Sequence, residues 1–189
     1  MERSTLTAYP PARDYDADDV LVVDELEGLR AASDDLRAKI LIRLRDRAYS
    51  VSDLAEELHL PKGTIAHHMK VLEKAGLVKV VRTRKVRAMT ERYYGRVARL
   101  FIFKNEDYPD ELQRFVASGL RVAAEELQPS SGDQAGSSVY VHARLSHEDA
   151  AQFAERLEEL LEDFRAADGS GEHRYGFVYA LYPSEAPRG

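Results

Sequence analysis

SVSDLAEELHLPKGTIAHHMKVLEKAG, residues 50–76, contains two short patterns in which apolar side chains recur at helical spacing, with a break between them. Ser52 can cap the first helix. The Leu60-Pro61 pair ends that helix, because the residue before a proline is excluded from the α region, and Pro61 suits the first turn of a second helix. Gly76 is a natural C-terminal stop. Two short helices with a tight break between them predict a helix-turn-helix.

The second of these helices has one apolar face and one basic, polar face. At about 100° per residue, Ile65, Met69 and Leu72 point to the same side. The opposite side has small residues, hydroxyl and imidazole groups and lysines, which is the character of a helix that lies between two rows of phosphates. The same pattern also fits an ordinary amphipathic helix with a solvated face, so this helix alone does not decide between the two interpretations.

The residues after this helix predict a β-hairpin with a basic tip. Residues 77–81 and 86–94 are rich in bulky and β-branched residues, as strands are. Between them lies the sequence Arg-Thr-Arg-Lys, residues 82–85, and Arg87 follows. A hairpin in this position relative to a helix-turn-helix is called a wing.

Four segments of this region occur together and in order: IAHH, KVLEKAGLVKVV, RTRK and TERYY. With them, residues 21–101 resemble the winged-helix repressors of the ArsR-like family, in particular the longer members with an added C-terminal domain. The resemblance implies a homodimer, to which the first helix and the helix after the wing contribute. It also implies a recognition helix in the major groove of DNA and a wing on the backbone or minor groove.

The candidate DNA-binding residues follow from this placement. His67 faces away from the apolar stripe and is the better candidate for reading base edges, whereas His68 lies at the edge of the stripe and fits a packed, structural role better. Adjacent histidines lie about 100° apart on a helix and do not share one metal ion. The recognition-helix set is Lys62, Thr64, His67, His68 and Lys70; the helix-start and wing set is Ser50, Ser52, Arg82, Arg84, Lys85 and Arg87.

The distribution of charge supports a nucleic-acid partner although the whole chain is acidic. The 189 residues have a net charge of −6. Residues 39–104 contain 16 Lys and Arg against 6 Asp and Glu, a net of +10, which leaves −16 for the rest of the chain. A basic middle between acidic flanks is the electrostatic footprint of a DNA-binding domain.

Several function classes are disfavoured by composition and motif. The chain has no cysteine, which excludes thiolate metal sites and thiol redox sensing. No nucleophile elbow, phosphate loop or metal-ligand pattern is visible, so we expect no enzyme activity, no cofactor and no metal. No apolar run is long enough for a membrane span and the N-terminus lacks the apolar core of a signal peptide, so we expect a cytoplasmic protein.

The last part of the chain predicts a separate small unit. Residues 139–145 alternate as a half-buried strand, Ser146 opens an apolar-striped helix, and residues 175–182 predict a second strand. This unit either dimerises or senses an effector. The expected organisation is a loose N-terminal arm (1–19), a winged-helix domain (20–104), a connecting or dimerisation helix (105–128), a linker (129–138) and a strand–helix–strand unit (139–183).

The fold class expected is therefore α+β and mainly helical: a winged helix-turn-helix domain, a dimerisation helix and a small β-α-β domain. The function expected is a sequence-specific DNA-binding transcriptional regulator, a homodimeric repressor on an inverted-repeat operator, with a small-molecule effector at the C-terminal domain as a further possible partner. The alternative is a winged helix that contacts protein or RNA without binding a specific operator. The first helix of the winged-helix domain is expected to begin at Val20 and to run for about three turns.

Overall fold

The structure of the protein is a computed structural model that describes residues 14–45, 47–86, 89–103, 107–127, 141–167 and 175–183. These residues divide into two compact units, one that ends at Glu125 and one that begins at Glu126. The elements, in chain order, are β1 (Asp18–Val23), α1 (Leu26–Ala32), α2 (Asp35–Arg43), β2 (Tyr49–Ser50), α3 (Val51–Glu57), α4 (Lys62–Lys74), β3 (Val78–Val86), β4 (Met89–Arg96), β5 (Ala98–Phe103), α5 (Pro109–Glu126) and α6 (His147–Ala166).

Residues Asp18–Val23 form a strand where we expected the end of a loose arm (1–19) and then a helix; residues 1–13 of that arm lie outside the described part of the chain. β1 pairs in parallel with β5, with Val20 opposite Leu100 and Val22 opposite Ile102. Consecutive β-branched side chains favour strand over helix, and β5 offers a matching apolar run. The helix expected from Val20 is therefore shorter and starts at Leu26.

The helix-turn-helix is built from α3 and α4, over a core that α1 and α2 complete. Ser50, not Ser52, is the N-cap of α3: its hydroxyl accepts from Asp53 N at 3.2 Å, and the Asp53 carboxylate accepts from Ser50 N at 2.9 Å. This capping box satisfies two helix-end donors. His59 has a φ of 53° and turns the chain between the two helices. The fully buried side chains of the second helix are Ile65, Met69 and Leu72, as the apolar stripe predicted.

Gly76 ends α4 as its position predicted. Its φ is 69°, in the left-handed region that favours glycine. The next residue, Leu77, donates its N–H to Leu72 O at 3.0 Å, which is the long hydrogen bond of a Schellman motif. The chain thereby reverses directly from the second helix of the motif into the first strand of the wing.

The wing is an antiparallel hairpin of β3 and β4, and β2 completes its sheet in the order β2-β4-β3. The register pairs Arg84 with Glu91 and Lys85 with Thr90, near the tip. An irregularity between Val80 and Arg82 shifts the pairing by one residue. From that point the side chains of Arg82 and Arg84 project from one face of the hairpin, because alternate residues of a strand share a face.

One face of α5 packs on the winged-helix core. The Phe115 ring lies 4.0 Å, centroid to centroid, from the ring of Phe103 in β5. Farther along, the buried Ser118 hydroxyl donates to Asp35 Oδ1 at 2.7 Å and Arg121 Nε donates to Asp35 Oδ2 at 3.0 Å. The pKa of Asp35 is lowered to about 2, and the largest cause is the hydrogen bond that its carboxylate accepts from Arg121. The helix after the wing is thus tied to the start of α2.

The C-terminal unit contains the expected helix but not the expected strands. Ser146 caps α6 by accepting from Asp149 N at 3.0 Å. Of the two segments predicted as strands, the described parts, residues 141–145 and 175–182, belong to no sheet. The second segment contacts the helix through side chains instead, with the Phe177 ring 5.4 Å from that of Phe164. A strand forms only where a neighbouring backbone lies alongside, and the described residues of one copy place none there.

Candidate nucleic-acid interface

The exposed face of α4 carries three of the predicted recognition residues. Lys62, His67 and Lys70 are exposed, and Thr64 beside them is half-buried. A Cβ added at Gly63 would meet no atom within 4 Å, so the start of this face is open. Neither lysine forms an ion pair with a carboxylate in the described part of the chain. This face therefore presents two uncompensated cations and an imidazole to an incoming ligand.

His68 does not share this face. Its Nδ1 lies 3.5 Å from Arg37 Nη1 and 3.6 Å from Asp34 Oδ1, at the start of α2. Burial is the largest influence and lowers the pKa of His68, partly offset by the Asp34 carboxylate. The ring lies between α4 and the start of α2, where its surroundings disfavour the charged form. The geometry favours the structural role for His68 over a role in base reading.

The wing presents its cations on exposed side chains near the tip. Arg84 and Lys85 are exposed, and neither pairs with a carboxylate among the residues that the structure describes. Arg82 lies closer to the base of the wing, with its guanidinium 4.7 Å from the centroid of the Tyr93 ring. Arg87, the fourth predicted wing cation, lies outside the described residues.

The two serines predicted at the helix start have different positions. Ser50 is 1% exposed and its hydroxyl is engaged in the capping box. A buried hydroxyl is poorly placed to reach a phosphate, and the predicted phosphate contact of Ser50 stays a prediction. Ser52 is half-buried in the first turn of α3, which leaves its predicted phosphate contact open.

The residues that sequence reasoning missed lie in the segment before β1. Asp14 Oδ1 accepts from Ala48 N at 2.7 Å, and Asp14 Oδ2 lies 2.8 Å from Arg82 Nη1. The Tyr15 hydroxyl donates to Leu44 O and accepts from Arg96 N. A Cβ at Gly95 would lie 2.6 Å from the Tyr15 ring, so glycine at this place lets the ring lie against the wing strand.

These contacts bring a carboxylate to the base of the basic wing. Asp14 and Tyr15 together form what we call the N-terminal clamp. The sequence offers only a weak signal for it, an aromatic residue among aspartates, because its partners are backbone groups and a distant arginine. The clamp compensates the charge of Arg82, whereas Arg84 and Lys85 stay available.

The fold and this surface define the class: residues 14–125 contain a winged helix-turn-helix domain with a basic helix face and a basic wing tip. Residues 34–80 match the family model described as "Bacterial regulatory protein, arsR family". The resemblance to the ArsR-like family that was drawn from the sequence is thus confirmed for residues 34–80.

The curated relatives give a consistent comparison. The chain is 35% identical over 77 residues to the HTH-type transcriptional repressor SmtB of Mycobacterium tuberculosis, strains CDC 1551 / Oshkosh and ATCC 25618 / H37Rv. The matched region covers 41% of this chain and 52% of the relative. The chain therefore spans about half the length of the curated relatives that it matches.

Solved structures similar to this chain include two HlyU proteins. HlyU from Vibrio cholerae N16961 is 24% identical, with a TM-score of 0.34 and coverage of 54% of this chain and 91% of that one. HlyU from Vibrio vulnificus CMCP6 is 26% identical, with a TM-score of 0.32 and coverage of 52% of this chain and 84% of that one.

In the described part of the chain, no helix has the length and apolar character needed to cross a bilayer. Within the same residues, no three His, Asp or Glu side chains come together as ligands for a metal ion.

Proposed function

We propose that this protein is a sequence-specific, DNA-binding transcriptional regulator that acts as a homodimeric repressor. The observation that carries the proposal is the exposed face of α4, where Lys62, His67 and Lys70 lie together and neither lysine pairs with a carboxylate of the described residues. Such a face suits the major groove, where lysines meet phosphates and an imidazole reaches base edges. The ArsR-family match over residues 34–80 supports this assignment, as does the repressor function printed for the SmtB relatives.

The wing supplies the second contact in this proposal. Arg84 and Lys85 alternate in β3 and so project from opposite faces of the hairpin. A hairpin with cations on both faces can bridge two phosphate rows or enter the minor groove. Because these contacts are to the backbone, they strengthen binding without selecting a sequence.

The proposed homodimer uses the face of α5 that the winged-helix core leaves open. Glu111, Phe115, Ser118 and Val122 recur at helical spacing and face the core. The opposite face, at about 180° from them, has Val116, Ala117, Leu120 and Ala124, with Leu120 40% exposed. A stripe of small and apolar residues on an otherwise packed helix is suited to pairing with a second copy.

Two copies joined in this way would present two recognition helices to DNA. A two-fold axis between them requires an operator with inverted-repeat symmetry, its half-sites about one helical turn (~34 Å) apart. Occupation of such an operator within a promoter would exclude the polymerase. An effector that binds the C-terminal unit and changes the spacing of the helices also stays a prediction.

Selection of bound fragments from genomic DNA tests the proposed function directly. We expect the full chain to enrich fragments that share an inverted repeat, with an affinity that falls steeply as salt rises, since each neutralised phosphate adds about 0.9 to the slope of log K against log salt. Mixed fragments of shuffled sequence and equal length serve as the control. Equal retention of both pools would contradict sequence-specific binding. Retention of RNA or of a protein alone would favour the alternative use of the winged helix.

A further prediction concerns the N-terminal clamp. Asp14→Asn keeps an oxygen that can accept from Ala48 N but removes the charge that faces Arg82. Because an exposed ion pair contributes about 0.2–1 kcal/mol, we expect DNA affinity at low salt to rise about 1.4- to fivefold. The measurement is a titration by fluorescence anisotropy. Asp16→Asn, the same charge change at an exposed residue two positions on, is the matched control, and an equal gain in both variants would show a general charge effect instead of a clamp.

A further inference from the structure

The C-terminal unit leaves an unusually apolar surface open to solvent. Among the described residues of this unit, 141–167 and 175–183, ten large hydrophobic or aromatic side chains are exposed, from 36% for Phe164 to 75% for Val141. No residue of α6 is buried, although its stripe of Phe153, Leu157, Leu160, Leu161 and Phe164 is as apolar as a core-facing helix requires. In the described residues, the segment 175–182 reaches this stripe, with the Phe177 ring 5.4 Å from that of Phe164, but it leaves Phe153 44% and Leu160 50% exposed.

The two segments that flank α6 add a second observation. Residues 139–145 and 175–182 alternate in the manner of strands, yet their described parts belong to no sheet. Extended segments with such side chains leave main-chain groups and apolar faces that a neighbouring strand would satisfy. A strand–helix–strand unit of about 45 residues also falls short of the size at which a domain readily buries a core of its own.

We propose that this surface pairs with the same surface of a second copy, so that two C-terminal units fold together into one domain. Each copy would contribute α6 and its two extended segments, and the segments would become strands of a shared sheet covered by the two helices. The ten side chains are on average about half exposed. At roughly 150–250 Å² for a complete large side chain, they leave on the order of 900 Å² uncovered. A standard protein interface buries about 800 Å² per partner, so the surface is large enough for a stable dimer.

The net charge of α6 favours a second copy of the chain over DNA as the partner of this apolar surface. The helix contains seven Asp and Glu against two Arg, a net of −5, which repels a phosphate backbone. At about 100° per residue, Glu155, Glu159 and Glu162 lie on the side of the helix opposite the centre of the apolar stripe. Self-pairing through the apolar stripe leaves these carboxylates in solvent, and a two-fold axis makes one self-complementary surface sufficient.

This proposal rests on the proposed function only in that both involve a dimer, and the two interfaces are separable. Leu120→Glu places a charge in the α5 face that the proposed winged-helix dimer uses. Leu160→Glu, at a side chain that is 50% exposed, places the same charge in the α6 stripe. The four full-length proteins, unchanged, each single variant and the double variant, are compared by analytical ultracentrifugation over a concentration series.

We expect the unchanged chain and each single variant to be dimers at micromolar concentration, and only the double variant to be a monomer. A monomeric Leu120→Glu protein would overturn the proposed C-terminal pairing. A double variant that stays dimeric would overturn it as well, since neither interface would then hold the copies together. If Leu160→Glu alone is monomeric, the C-terminal pairing stands and the α5 interface of the proposed function fails.

A second measurement keeps the proposal testable if a glutamate disturbs the unit itself. The native chain has no cysteine, so a single introduced thiol reports on one place. In a Leu120→Glu background, Leu160→Cys is expected to react with a bulky maleimide at least tenfold more slowly than Glu155→Cys, because only the first lies inside the paired surface. The difference should vanish on dilution to monomer. Equal reaction rates at high protein concentration would contradict a covered stripe.

Discussion

Lys70→Glu is expected to raise the dissociation constant for the proposed operator by about 100-fold, the largest effect of any single change on α4. Lys70 is exposed on α4. It follows His67 by three residues, about one helical turn, so the two side chains lie side by side. The change removes one cation and introduces an anion between two phosphate rows. A loss of about 2.8 kcal/mol corresponds to this factor at about 1.4 kcal/mol per tenfold. Titration of a labelled operator by fluorescence anisotropy at fixed salt measures it.

The matched control for this prediction lies on the same helix. Lys74→Glu makes an identical change of net charge one turn later, where Lys74 Nζ already pairs with Glu27 Oε1 of α1 at 2.6 Å. The lysine there is compensated and directed to another helix, so we expect less than a tenfold loss. Thermal unfolding of both variants separates binding from stability. Similar losses for the two variants would mean that overall charge, not the proposed groove contact, governs affinity.

The centre of the fold could be read from the sequence because its determinants are local. Gly76, the Leu60-Pro61 break and the apolar stripe of α4 act within a few residues of themselves, and each predicted the element that is observed. The capping residue was misassigned by two positions, because Ser50 and Ser52 have the same capping chemistry. Only the tertiary pairing of Tyr49 and Ser50 with β4 decides which of them is the cap.

The failures all involve partners far away in the sequence. β1 was expected to be a helix because Val22, Leu26 and Leu29 also fit helical spacing, and only its pairing with β5, some 80 residues later, decides for strand. The same separation hides the N-terminal clamp, in which Asp14 contacts Ala48 and Arg82. At the C-terminal unit, alternation predicted strands, but the pattern does not say from which copy the pairing backbone comes.

The residues of the candidate site also differ in whether their positions depend on the local sequence or on distant partners. The exposure of Lys62, His67 and Lys70 follows from helix periodicity, and so it was predictable. The position of His68 depends on Asp34 and Arg37, which approach it from another helix. The availability of Arg82 depends on the clamp. A charge counted in the sequence is therefore an upper bound on the charge that a phosphate backbone meets.

This difference among the wing cations leads to the last prediction. Arg84→Ala together with Lys85→Ala is expected to weaken binding to specific and to shuffled DNA by similar factors, about 10- to 100-fold at low salt. Both side chains are exposed and carry no ion pair among the described residues. Loss of two phosphate contacts should make the slope of log K against log salt shallower by about 1.8. Affinities measured across a salt series for both DNA pools give the slopes.

Arg30→Ala together with Arg114→Ala is the control for the wing variant. It removes the same two charges from the side of the domain where both arginines pair with Glu111, at 3.1 and 3.2 Å. We expect its salt slope to match that of the unchanged chain, because those cations already have a carboxylate and lie on other helices. A wing variant that loses affinity only for the specific operator would instead assign Arg84 and Lys85 to base reading. An unchanged slope in both double variants would remove the wing from the DNA contact altogether.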